Sequence, residues 1–92
     1  MPVDNEFIQT YIDNLGNKER ELSDKGQQVR NARHGFEGIL QKEETKPDPN
    51  NPTKQIKIPI DIMDTQRGQK MTVTRRQEIY DHWIAEADKL LA

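Results

Sequence analysis

Ile8, Leu15, Leu22, Val29 and Phe36 recur at intervals of seven residues through a stretch, Asp4 to Lys42, that holds no proline. A spacing of seven returns a side chain to nearly the same face of an α-helix, so this column demands a cover along its whole length. Tyr11 and Ile12 flank its start, and Ile39 and Leu40 its end. With Ile8 as position a, the d positions read Tyr11, Lys18, Lys25, Ala32 and Ile39, so the second apolar column exists only at the two ends. Asp4 is placed to cap the first turn, with Val3 and Ile8 as a hydrophobic staple around it.

A single helix over residues 4–43 would be roughly 60 Å long at about 1.5 Å per residue. A compact chain of this size has a radius of gyration of only about 12 Å. Such a rod must either meet partner chains or fold back at a glycine, Gly16 in "NLGN" or Gly26. The heptads favour partner chains, and the reading adopted is an oligomeric helical bundle, a coiled-coil-like homo-oligomer. Ile8, Tyr11, Ile12, Leu15, Leu22, Val29, Phe36, Ile39 and Leu40 are its expected contacts. A helical hairpin broken near Gly16 is the alternative.

Composition supports shared burial. Of the 92 residues, 32% are apolar and 33% charged, with 5% aromatic, which leaves few large side chains to fill an interior. The net charge of −2 is too small for a surface coated with one sign, as whole-protein binding to nucleic acid or membrane would need. Cysteine is absent, which excludes disulfides and thiolate metal sites. Without a long apolar run or a basic, apolar leader, the expectation is a protein neither secreted nor membrane-bound, cytoplasmic or virion-like in location.

Beyond the helix, "TKPDPNNP" puts Pro47, Pro49 and Pro52 among Asp and Asn, and residues 45–53 read as a linker. Then "KQIKIPIDIM" places Ile56, Ile58, Ile60 and Ile62 on alternate positions, the period of a strand with one apolar face. Pro59 confines that strand to a sheet edge. A turn at Gly68, which can take positive φ, would return the chain as "KMTV", giving a β-hairpin over 54–73. The last segment, 75–91, is an amphipathic helix with Thr74 and Gln77 at capping-box spacing. Its stripe, Ile79, Tyr80, Trp83, Ile84, Ala87, Leu90 and Leu91, is expected to pack on the four isoleucines as a compact head. The fold class is therefore mainly α with a small β element, in a single domain.

Dedicated chemistry is scarce. His34 and His82 lie in different segments without metal-ligand spacing, the one serine, Ser23, has no strained turn around it, and no glycine-rich phosphate loop is present. Neither an enzyme nor a cofactor or metal is expected. Charge, however, is blocked: residues 4–24 carry 6 acidic and 2 basic groups, 25–36 carry 3 basic and none acidic, and 64–76 carry 4 basic and 1 acidic. Blocks of opposite sign suit register between neighbouring helices. Arg67, Lys70, Thr74, Arg75 and Arg76 gather at the start of the last helix, where free N–H groups and cations together would hold a phosphate, a nucleotide or nucleic acid. Tyr11 and Trp83 lie on apolar stripes and read as packing rather than base stacking. The function expected is a non-enzymatic, self-assembling structural or interaction protein that partners itself and another protein of a larger assembly, an outline common among phage and virus components. The alternative is an oligomeric module that captures a phosphorylated ligand through the basic cluster.

Overall fold

A computed structural model describes residues 2–21 and 23–92. Three helices form the body: α1 (Asn5–Glu21), α2 (Gly26–Glu37) and α3 (Val73–Leu91). Between α2 and α3 lie two antiparallel strand pairs, β1 (Glu43–Asp48) with β2 (Asn51–Pro59), and β3 (Met63–Asp64) with β4 (Gln69–Lys70). Mainly α with a small β element is thus what the chain forms.

The N-terminal region is a helical hairpin. Asp4 caps α1 by accepting a hydrogen bond from Glu6 N at 2.8 Å. The helix runs through Gly16, where the Arg33 side chain of α2 lies across the open backbone, and the chain turns instead through a 3₁₀ segment, Ser23–Lys25. This corrects both sequence expectations: the helix is not continuous over 4–43, and the break falls beside Gly26, not Gly16. Leu22 of the heptad column lies outside the described residues. Glu19 fastens the hairpin, accepting from Arg33 Nη1 at 2.8 Å and Arg30 Nη1 at 3.2 Å.

One core holds the three helices together. Ile8 and Leu15 from α1, Val29, Ala32 and Phe36 from α2, Ile39 beyond it, and Tyr80 and Ala87 from α3 are all buried. Tyr11 stacks on Phe36 with ring centroids 5.2 Å apart, and Ile12, Leu40, Ile79, Trp83 and Leu90 pack around the cluster. The heptad column therefore meets α3 and its own other half, so most of its apolar surface is already consumed within one chain. Likewise, the α3 stripe is covered by α1 and α2, not by the isoleucines as expected.

Trp83 and Gly35 show how closely α2 and α3 approach. A Cβ at Gly35 would fall within the indole, 2.6 Å from Cδ1 and closer still to Nε1 and Cε2. Only a glycine lets the indole come this close to the α2 backbone.

The expected linker is half of a hairpin. β1 pairs with β2 in the register Glu43↔Pro59, Glu44↔Ile58, Thr45↔Lys57, Lys46↔Ile56 and Pro47↔Gln55, broken by a bulge before Asp48↔Asn51. Asp48 Oδ1 accepts from Asn50 N at 2.9 Å and shapes the turn around Pro49. The isoleucine strand thus pairs toward the N-terminus, correcting the 54–73 hairpin. What forms downstream is short: Met63 opposite Lys70, Asp64 opposite Gln69, and Met71 N donating to Ile62 O at 2.7 Å. Gly68 turns that loop at φ 64°, as its sequence position predicted.

Because β1–β2 packs on no helix among the described residues, it projects as an arm. The molecule measures 53 × 28 × 23 Å with a radius of gyration of 15.9 Å. Even α3, the longest helix, accounts for only about 28 Å of that length.

Candidate functional site

Three features combine accessible surface with defined chemistry: the arm, its base, and a groove beside Trp83. On the arm, residues opposite each other in the ladder share a face. One face therefore carries Ile56, Ile58 and Ile60 on one strand, and Lys46, Glu44 and Lys42 on the other. The charged row is self-paired, Lys46 Nζ lying 3.7 Å from Glu44 Oε1. The apolar row is largely open to water, Ile56 at 36% exposure and Ile60 at 42%, with Ile58 half-buried between them.

Ile60 N donates to Lys42 O at 2.8 Å. In an antiparallel pair, hydrogen-bonded positions alternate with positions whose N–H groups point away. Counting along the ladder, Glu44–Ile58 and Lys46–Ile56 are bonded pairs, whereas Pro47 and Pro59 fall where the N–H would point outward. Each free edge thus carries one proline that removes a donor without disturbing the ladder.

At the arm's base four residues form a knot. Asn5 Nδ2 donates to Gln41 O at 2.8 Å, and Gln41 N returns a bond to Asn5 Oδ1 at 3.0 Å. Arg76 donates to the same Asn5 Oδ1 from Nη2 at 2.9 Å and to Ile39 O from Nε at 2.9 Å. Burial lowers the Arg76 pKa, although a guanidinium so far above neutrality stays charged. Its cation sits beyond the C-terminus of α2, where the helix dipole favours it. No sequence signal marked Asn5 or Gln41, because the bonds join residues 36 and 71 positions apart.

The other expected phosphate ligands are also engaged. Asp64, 3% exposed, accepts from Arg75 Nε at 3.2 Å and from the backbone of Arg67 at 3.3 Å. Arg75 Nη2 donates to Gln66 Oε1 at 2.7 Å, and Lys70 lies 3.2 Å from Asp61. Thr72, not Thr74, caps α3, accepting from Arg75 N at 3.1 Å. Arg67 and Arg75 thus meet at Asp64, whereas Arg76 turns to Asn5 and Ile39 O at the arm's base and Lys70 pairs with Asp61 in an exposed position.

A groove of about 570 Å³ runs between α2, α3 and the β3–β4 turn. Ile39, Met63, Met71, Ile79 and Trp83 are among its apolar lining, and its polar lining includes His34, His82 and Glu78 along with Asp64 and Arg75. Both histidines thus reach one groove although they belong to different helices, His82 edge-on to Trp83 at 4.8 Å. Among the described residues no cluster of three or more His, Asp or Glu side chains is placed to hold a metal ion. No helix among them is long and apolar enough to cross a membrane.

Comparison of the chain with protein-family models, with curated proteins and with solved structures finds no match.

Proposed function

We propose that this chain is a non-enzymatic interaction protein that associates with copies of itself as a component of a larger assembly, and that the arm is its contact element. The observation that carries this reading is the largely exposed isoleucine row, which no helix among the described residues covers. An isolated two-stranded hairpin is marginal in water, so an arm of this kind gains from being covered. Residues 43–59 hold 3 acidic and 3 basic side chains, so arms of two copies do not repel each other. The core residues first read as bundle contacts serve here as the scaffold that holds the arm out. The basic cluster supports a phosphate-binding reading less well, because the Arg75 and Arg76 side chains are bound within the chain, which leaves half-exposed Arg67, 3.9 Å from Asp64, and Lys70 as its accessible cations.

Sedimentation equilibrium of the full chain, at increasing concentration, tests this. Self-association that Ile56→Thr with Ile58→Thr abolishes, at unchanged far-UV circular dichroism, is the expected result. A monomer at every concentration would overturn the reading.

A further inference from the structure

The arm leaves two ways for a second copy to meet it, edge to edge or face to face. Its edges are poor templates. Pro47 on β1 and Pro59 on β2 each remove an outward N–H, which leaves two outward residues on each strand: Glu43 and Thr45 on β1, Gln55 and Lys57 on β2. A stable added strand needs a longer run than that.

The face has a different character. Its apolar row and charged row run side by side, and the charged row alternates in sign, Lys42, Glu44, Lys46. A two-fold contact brings each patch against itself, so residue i meets j and j meets i. Consider two arms stacked face to face with strands antiparallel and the axis crossing between positions 44 and 46. Isoleucine then lies on isoleucine, Ile56 over the second copy's Ile58 and the reverse, while each Glu44 meets a Lys46. The same face slid by one pair would set Glu44 on Glu44 and Lys42 on Lys46, which is repulsive on every charged position. Charge order therefore excludes that slid register and leaves two self-complementary ones, this one and the one with Glu44 on Lys42 and Ile58 over Ile60; this one, centred nearer the arm's tip, keeps the two bodies farther apart.

Resting on the assembly reading, we infer that the isoleucine face of the arm is a homotypic docking surface, closed by the same face of a second copy in this antiparallel, two-fold register. The contact is small. A paired ladder of five or six residues offers a face about 20 Å by 10 Å, far below the roughly 800 Å² per partner of a standard interface. It is a weak contact that gains strength when several chains are held together.

Because the chain has no cysteine, single cysteines report the contact directly. Ile56→Cys and Ile58→Cys chains, mixed under mild oxidation at high concentration, are expected to form a mixed disulfide dimer. It should form at least ~5-fold faster than dimers of either chain alone, or of Lys57→Cys on the opposite face. Glu44→Lys and Lys46→Glu should each weaken self-association in sedimentation, and the double exchange should restore it. Association of the wild-type chain without preferential Ile56–Ile58 linkage would overturn this surface while leaving self-assembly standing. A wild-type monomer that forms no preferred disulfide would sink both.

Discussion

The body and the arm are built from the same kinds of residue but stabilised in opposite ways. In the body, apolar side chains from three helices vanish into one core, and the polar groups decorate it. In the arm, a ladder of backbone hydrogen bonds does the holding, and three isoleucines remain at or near the surface. The lesson is that in so small a chain the interior is used up by the helices. Whatever apolar surface is left over is presented outward, on the element with the least internal support.

The contrast is sharpest in what a truncation would do. Phe36→Ala removes a fully buried ring that stacks on Tyr11, and is expected to cost about 3–5 kcal/mol in chemical denaturation. Ile58→Thr, measured on the dilute chain, should change stability by about 0.5 kcal/mol or less. Comparable losses from both would mean that the arm is part of the cooperative core.

Gly35→Ala probes the closest approach in the body. The added methyl group collides with Trp83, so a loss of about 1–3 kcal/mol and a shifted tryptophan emission are expected. An unperturbed variant would show that α3 stands farther from α2 than described.

Arg76→Met tests where the two regions meet. It leaves Ile39 O without its donor and Asn5 Oδ1 with Gln41 N alone, with an expected loss of about 1–3 kcal/mol. Faster hydrogen exchange at Gln41 and Ile60 should accompany it; loss of global stability with no change at those amides would separate the arm from the knot.

Alkaline pH gives the mildest perturbation. Burial, and the hydrogen bond its hydroxyl donates to Asp88 at 2.8 Å, push Tyr11 up to about 12, with the Asp88 charge adding to the effect. Burial also raises Tyr80, whose hydroxyl has no hydrogen-bond partner among the described residues. A tyrosine raised above its unfolded value near 10 leaves stability intact below that pH, then loses it as the unfolded chain ionises first. Stability should therefore fall between about pH 10 and 12, less steeply in Tyr11→Phe; an identical slope would place the transition in other groups.

Much of the body was readable in the sequence, and the reasons are local. Asp4 as a cap, the amphipathic stripe of α3 and the turn at Gly68 depend on neighbouring residues alone. The heptad column was visible too, but periodicity marks a face without saying what covers it, and Val29 and Phe36 belong to a second helix folded against Ile8 and Leu15. The arm was hidden for a different reason. β1 faces water on both sides, so it has no alternation of apolar and polar residues, and Pro47 argues against a strand until its outward position is known. Thr74 was preferred as the cap for its glutamine three residues on, yet the chain turns helical two residues earlier, at Thr72. Of the candidate site, the isoleucine alternation was legible; the knot of Asn5, Gln41 and Arg76 was not, since it joins distant segments.

That knot also bears on the order in which the molecule assembles. The helical hairpin and the arm are each closed by contacts between sequence neighbours, whereas Asn5 to Arg76 and Tyr11 to Asp88 join residues 71 and 77 apart. Contacts of such separation carry the larger loop-closure cost and come late in folding. Docking of α3 is then the slow step, and Trp83, the sole tryptophan, sits where its fluorescence would time it. On a ribosome, the first 60 residues would emerge as a preformed hairpin and arm with an uncovered helical face, waiting for their last helix.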